Sequence, residues 1–120
     1  MKIEELDVFK LSHQLTKEIY KITKLFPKEE LFGITSQLRR ASFSTPSNLI
    51  EGNYRFSEKE FKHYISIARG SCGEVKYFLM LSYELGYMCK EDYHNLLDKT
   101  DRIIRMLTKL YYLNNEKRET

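Results

Sequence analysis

Residues 57–86, SEKEFKHYISIARGSCGEVKYFLMLSYELG, show a helical pattern with a start signal and a stop signal. Ser57 and Glu60 form a capping box, in which each side chain accepts a hydrogen bond from the backbone amide of the other. Gly86 supplies a left-handed helix end. The sequence therefore predicts one helix over residues 58–85, about 42 Å long. Its buried face recurs every three or four positions and consists of Phe61, Tyr64, Ile65, Ala68, Cys72, Val75, Leu79, Ser82 and Leu85.

Similar apolar stripes lie on both sides of this helix. They predict three further helices, over residues 5–26, 34–55 and 90–113. Pro27 and Gly33 mark the first connection, while the absence of a stripe after residue 113 predicts a frayed C-terminal tail. Short links and no credible strand indicate an all-α fold. We expect an antiparallel up-and-down four-helix bundle that forms one domain over residues 1–120.

The second predicted helix contains Pro46 in its middle. Proline removes a backbone donor and clashes with the preceding turn of a regular helix. We therefore predict a kink near Pro46, or a restart in which Thr45 is the N-cap and Pro46 the first helical residue. Both alternatives stay open at this point.

Composition limits the functional classes. The 120 residues carry a net charge of +3, which permits nucleic-acid binding but does not demand it. Apolar runs are too short to cross a bilayer and residues 1–10 are too charged for a secretory signal, so we expect a cytoplasmic protein without membrane contact. Cys72 and Cys89 are expected to be free thiols.

The second helix also carries a polar stripe, at steps of three and four residues. It has two interpretations, a solvated face or a contact between copies of the chain in which small serines permit close approach. The stripe consists of Gln37, Arg40, Ser44, Ser47, Glu51 and Arg55.

Basic residues on two helices are candidates for contacts with nucleic acid. They would form a common basic surface once several copies are arranged around an axis, whereas the alternative is that each is merely solvated. Tyr54, Tyr64, Tyr111 and Tyr112 are able to stack on unpaired bases or to pack in the bundle. The basic candidates are Arg39, Arg40 and Arg55 on the second helix and Arg102, Arg105 and Lys109 on the fourth.

No pattern points to catalysis, a metal or a cofactor. The stretch 70–73, GSCG, lies inside a predicted helix, where a nucleophile turn cannot form. His13, His63 and His94 lie on three different helices and lack the paired spacing of metal ligands. A glycine-rich phosphate loop is also missing from the sequence. We therefore expect a non-enzymatic protein with no catalytic, cofactor-binding or metal site.

Two segments of the second helix, FGITSQLRRA at 32–41 and STPSNLIEG at 44–52, resemble a known family. They are similar to the bacterial four-helix-bundle proteins first noticed as reading frames in intervening sequences of large-subunit ribosomal RNA genes. The resemblance implies a ring-like homopentamer. It also implies basic roles for Arg39 and Arg40, and architectural or contact roles for Ser44, Pro46, Asn48 and Glu51. The similarity continues through Phe61, residues 67–71, Glu74, residues 85–87 and residues 105–107.

The same family is similar to the accessory variability determinant of diversity-generating retroelements, a pentameric basic barrel that binds nucleic acid and a reverse transcriptase. We therefore expect a homo-oligomeric scaffold, pentameric by resemblance, that binds structured RNA or DNA and works with or without a partner protein. The alternative is a protein-interaction module with no nucleic-acid role. The expected subunit contact comprises Gln37, Arg40, Ser44, Ser47, Asn48 and Glu51.

Overall fold

The computed structural model describes the backbone of residues 2–119 and the side chains of residues 2–113. Within that range it contains four α-helices, two short 3-10 turns and no strand. The predicted all-α four-helix bundle is therefore confirmed. The 3-10 turns are Ile3–Glu5 and Lys28–Glu30, and the helices are α1 (Asp7–Thr23), α2 (Ile34–Asn53), α3 (Glu58–Glu84) and α4 (Lys90–Glu119).

The helices pack in chain order around one core. Each helix contacts the next, α4 closes the bundle on α1, and α2 lies diagonally opposite α4. Burying an aliphatic side chain of this kind contributes about 1.5–3 kcal/mol, so the shared stripe is the main source of stability. The fully buried core positions include Ile19, Leu38, Leu49, Ile65, Leu79, Leu96, Ile103 and Leu107.

Both predicted ends of α3 are present. The Glu60 amide donates to the Ser57 hydroxyl at 3.2 Å, and the Ser57 amide donates to the Glu60 carboxylate at 3.3 Å. At the other end Gly86 has φ +80°. Its amide donates to the Tyr83 carbonyl, and the next amide donates to the Ser82 carbonyl. These two bonds satisfy carbonyls that the helix leaves without partners.

Pro46 lies inside a single continuous helix, so the predicted alternative of a restart is wrong. A proline at this position leaves the Ser42 carbonyl, four residues earlier, without its helical amide donor. The Thr16 hydroxyl of α1 donates to that carbonyl at 3.0 Å. The same hydroxyl also lies 3.0 Å from the Ser12 carbonyl, so the two carbonyls share its one proton, and the Ser42 carbonyl gains a tertiary donor in place of the missing helical one.

Two helix ends differ from the prediction. The first helix ends at Thr23 rather than near residue 26, because the amides of Leu25 and Phe26 bond to carbonyls three residues back, in a tighter turn. α4 runs to Glu119, beyond the predicted end at residue 113. That segment has neither Gly nor Pro to stop a helix. The predicted fraying concerns residues 114–120, which lie outside the described side chains.

α2 and α3 meet along a closely packed line of small polar side chains. The hydroxyls of Ser44 and Ser71 share a hydrogen bond at 2.8 Å. The Thr45 hydroxyl and the Cys72 thiol lie 3.3 Å apart. A Cβ on Gly52 would lie 2.7 Å from the Cβ of Tyr64, so only glycine fits there. We call this contact the α2–α3 seam, defined by Ser44, Thr45, Gly52, Ser71 and Cys72.

Candidate nucleic-acid interface

Three of the predicted basic residues form one line on the outside of α4. Arg102, Arg105 and Lys109 are all exposed and follow one another at steps of three and four, which puts them on one helix face. Asp101, one turn before Arg105, pairs instead with Lys76 at 2.8 Å. The ion pairs Arg55–Glu51, Lys76–Asp101 and Lys99–Glu18 do not involve this line. The α4 line, as we call it, therefore presents three positive charges to solvent.

Arg39 has a different role. Its Nε donates to the Thr23 hydroxyl at 2.8 Å, and its guanidinium lies over the Tyr20 ring, 4.7 Å from the centroid. A cation at the last turn of a helix also complements the negative end of the helix dipole. The guanidinium thus fastens α2 to the end of α1.

Arg55 is exposed but held in place at the end of α2. It donates to Glu51 at 3.0 Å and to the Tyr64 hydroxyl at 2.5 Å, with its guanidinium over the Tyr64 ring. The hydrogen bond to Glu51, followed by the negative field of Tyr64, raises the pKa of Arg55 above its usual value. Arg55 is therefore charged and preoriented.

The six predicted basic residues do not form one surface within a single chain. Arg39 and Arg40 belong to α2, which lies diagonally opposite α4 and its basic line, whereas Arg55 follows α2 and lines a pocket together with Tyr111 of α4. Arg40 is exposed beside a shallow pocket between α2 and α3, whose lining also includes Gln37, Ile67 and Glu74. The structure therefore separates Arg39 and Arg40 on α2 from the α4 line, and it brings Arg55 close to α4.

The residues predicted for a subunit contact also fall into two groups. Gln37, Ser47 and Glu51 are exposed, as is Arg40. Ser44 and Asn48 are half-buried and engaged within the chain, because the Asn48 amide donates to the Ser44 carbonyl at 2.7 Å and to its hydroxyl at 2.9 Å. The exposed group is therefore better placed to meet a second copy, and within it Glu51 already accepts hydrogen bonds from Arg55 and Tyr64.

An apolar component of the outer surface of α2 was missed in the sequence. Phe43, Ile50 and Tyr54 are exposed on the same side as Arg40 and Ser47. The signal was the alternation of three- and four-residue steps along residues 40, 43, 47, 50 and 54, the spacing of a coiled-coil seam. We call these five residues the outer α2 face.

A second missed feature is a shallow pocket of about 750 Å³ at the start of α3. Arg55 comes from the end of α2, Tyr111 from α4, and the other lining residues from α3. A smaller pocket of about 220 Å³ adjoins it and shares Ser66 and Tyr111 with it. The first pocket is lined by Arg55, Lys59, Glu60, Lys62, His63, Tyr64, Ser66 and Tyr111, and the second by Ile65, Ser66, Arg69, Thr108, Tyr111 and Tyr112.

Comparison with known proteins identifies the family. The family of 23S rRNA-intervening sequence proteins matches residues 4–109. The chain belongs to this family. A crystal structure of a protein of unknown function from the S23 ribosomal protein family of Bacteroides thetaiotaomicron is similar in fold, with a TM-score of 0.78. Identity is 22% over 87% of this chain and 97% of that one, which supports the fold alone. None of the curated proteins matches this sequence.

The thiols of this 23S rRNA-intervening sequence protein are both free. Burial raises the pKa of the Cys72 thiol, and that residue belongs to the α2–α3 seam. Cys89 is exposed and accepts a hydrogen bond from the Asp92 amide at the start of α4. Among the described residues, no three His, Cys, Asp or Glu side chains converge to hold a metal ion.

No helix in the described part of the chain combines the length and apolar character that a bilayer span requires.

Proposed function

We propose that this family member assembles with copies of itself into a non-enzymatic scaffold that binds structured RNA or DNA through the α4 line. The supporting observation is that Arg102, Arg105 and Lys109 are exposed on one face and pair with no described carboxylate. Such a line is suited to a row of phosphates, whose neutralisation releases condensed counterions. Arginine in particular binds phosphate through two parallel donors.

Assembly is proposed to use the outer α2 face. Phe43, Ile50 and Tyr54 are exposed there, and burying them against another copy would be favourable. The resemblance to pentameric relatives implies a ring of five. A ring repeats the α4 line in every copy and sums the modest charge of each chain into a stronger field. We also propose a cytoplasmic location, where a nucleic-acid ligand would be available.

The assembly step is tested with Phe43→Glu, which puts a charge into the outer α2 face. Leu25→Glu is the matched control, because Leu25 is an exposed apolar residue at the end of α1. Light scattering of the wild type is expected to give an oligomer and of Phe43→Glu a smaller species. If Phe43→Glu and the control have the size of the wild type, the outer α2 face does not carry assembly.

The binding step is tested by fluorescence anisotropy of a labelled RNA hairpin at about 50 and about 200 mM salt, a range over which phosphate contacts lose much of their affinity. Binding that weakens steeply between the two concentrations supports the proposal. No binding at either concentration contradicts it.

The second candidate is a protein-interaction module with no nucleic-acid role. The observation in its favour is the apolar character of the outer α2 face, which suits a protein surface and not a phosphate backbone. In that case the protein would assemble, or capture a partner protein, and RNA would bind at neither salt concentration.

A further inference from the structure

The two pockets at the start of α3 form one continuous depression between α3 and α4, since Ser66 and Tyr111 line both. We call it the α3–α4 groove. It adjoins the α4 line, because Tyr112 follows Lys109 by three residues and lies on the same helix face. The basic line on α4 and the groove therefore belong to one connected surface.

Positive charge dominates the lining of the groove. Four cations, Arg55, Lys59, Lys62 and Arg69, line the groove with one carboxylate, Glu60, and a second carboxylate, Glu51, pairs with Arg55 at 3.0 Å. The Glu60 carboxylate is engaged in the capping box, where it accepts from both the amide and the hydroxyl of the N-cap serine. An anion entering the groove therefore meets an excess of cations.

Neighbouring side chains hold three of these cations in position. Arg55 lies over the Tyr64 ring and the Lys62 ammonium lies 4.2 Å from the centroid of the Tyr111 ring. Arg69 donates to the Thr108 hydroxyl at 2.9 Å. Cations ordered before binding lose less conformational entropy when they meet a phosphate.

Tyr112 supplies a different kind of contact. Its ring is 59% exposed at the border of the groove, and none of the described cations lies over it. An exposed tyrosine ring is able to stack on a nucleobase, provided that the base is not already stacked within a duplex. Phosphate-binding cations beside an open aromatic ring are the combination that single strands require.

We infer that the α3–α4 groove binds an unpaired segment of nucleic acid, with its phosphates on the groove cations and a base stacked on Tyr112. This inference rests on the proposed function and deepens it, because it locates the unpaired part of the ligand. RNA and DNA single strands share this chemistry, and they differ in the 2′-hydroxyl that a protein uses to distinguish them.

Three labelled probes test the inference by anisotropy at low salt: a single-stranded RNA of about 12 nucleotides, the DNA strand of the same sequence, and the RNA duplex. Both single strands are expected to bind more tightly than the duplex. Tighter binding of the RNA strand than of the DNA strand would identify RNA as the ligand, and equal binding would show that the backbone phosphates and bases suffice.

Variants separate the groove from general charge. Tyr112→Ala is expected to weaken single-strand binding about tenfold, the loss of one stacked base, and to leave duplex binding unchanged. The matched control is Tyr77→Ala, because Tyr77 is another exposed tyrosine that lines neither pocket of the groove. Lys59→Ala removes a cation of the groove, and Lys10→Ala on α1 is its matched control. Thermal unfolding of each variant checks that it is folded.

The outcomes distinguish two kinds of failure. If none of the probes binds, the proposed function fails and the inference with it. If the duplex binds as tightly as the single strands, or if Tyr112→Ala matches Tyr77→Ala, only the inference is overturned.

Discussion

The α2–α3 seam and the α3–α4 groove border the same helix and are both polar, yet they differ in what their polar groups do. In the seam, the hydroxyls of Ser44 and Ser71 bond each other, and Thr45 lies against Cys72. In the groove, Lys59 and Arg69 are long, exposed and positively charged. The seam is closed by its own hydrogen bonds, whereas the groove remains open.

Side-chain length explains this difference. Short hydroxyls and glycine let two helix backbones approach and use their hydrogen-bonding capacity within the chain. Lysine and arginine place charge several ångströms from the backbone, where neighbouring helices cannot cover it without a large desolvation cost. Polarity alone therefore does not mark a binding surface, and the partner of each polar atom has to be known.

The first comparison, between a glycine in the seam and an exposed glycine on α3 outside the seam, should show the largest difference. Gly52→Ala puts a Cβ 2.7 Å from the Cβ of Tyr64, whereas a Cβ on Gly70 meets nothing within 4 Å. Alanine improves helix propensity by about 1 kcal/mol in the interior of α3 and by less at Gly52, next to the end of α2, so the difference reports mainly the steric cost. Urea unfolding should find Gly52→Ala less stable than Gly70→Ala by about 1–3 kcal/mol. Equal stabilities would show that the seam is not tightly packed.

The next comparison concerns two arginines. Arg39→Ala removes the hydrogen bond to Thr23 and the contact with the Tyr20 ring, at a cost of about 1.5 kcal/mol in the free energy of unfolding. Arg102→Ala, on the exposed α4 line, should stay within about 0.5 kcal/mol of the wild type. RNA affinity, by contrast, should fall more in Arg102→Ala than in Arg39→Ala. Stability loss at Arg102 equal to that at Arg39 would remove the distinction between them.

A third experiment tests how the bundle accommodates Pro46. Thr16→Val leaves the Ser42 carbonyl without its donor and should cost about 1 kcal/mol. In a Pro46→Ala background, the backbone amide at position 46 is available to that carbonyl, so the cost of Thr16→Val should shrink. A double-mutant cycle by urea unfolding measures this coupling. Additive effects would mean that Thr16 does not compensate for the proline.

The smallest expected effect is a change in pH dependence. The hydrogen bond from Tyr87 to Glu30, then burial and the nearby carboxylates, raise the pKa of Tyr87 above its ordinary value of 10.0. The stability this bond contributes is complete below that ordinary value and is lost as pH rises through the raised pKa. Tyr87→Phe should therefore make the alkaline loss of stability shallower, as measured by urea midpoints between about pH 8 and pH 11. An unchanged profile would exclude Tyr87 as its source.

Local sequence signals predicted much of the fold. The ends of α3 are set by Ser57, Glu60 and Gly86 through hydrogen bonds between residues at most five apart in sequence. These ends can therefore be predicted without the tertiary structure. The donor to the Ser42 carbonyl, which Pro46 leaves without its helical amide, could not be predicted from sequence, because Thr16 lies on another helix.

The candidate site was predictable only in part. Arg102, Arg105 and Lys109 share one helix face, and helical spacing alone is enough to show this. Arg39 has the same chemistry, but Thr23 and Tyr20 engage it across a helix contact that spacing does not reveal. The groove was missed because it combines Arg55, α3 and α4, which only the folded chain brings together.

Phosphate binding by the α4 line is tested most directly by the salt dependence of hairpin RNA binding in the triple variant R102A/R105A/K109A. Its matched control is K10A/K17A/K21A, which removes three exposed lysines from the outer side of α1. The slope of log Kobs against log salt should become shallower by about 2 or more in the α4 variant, since three phosphate contacts are lost, and should not change in the α1 variant. An unchanged slope in the α4 variant would contradict the assignment of phosphate binding to α4.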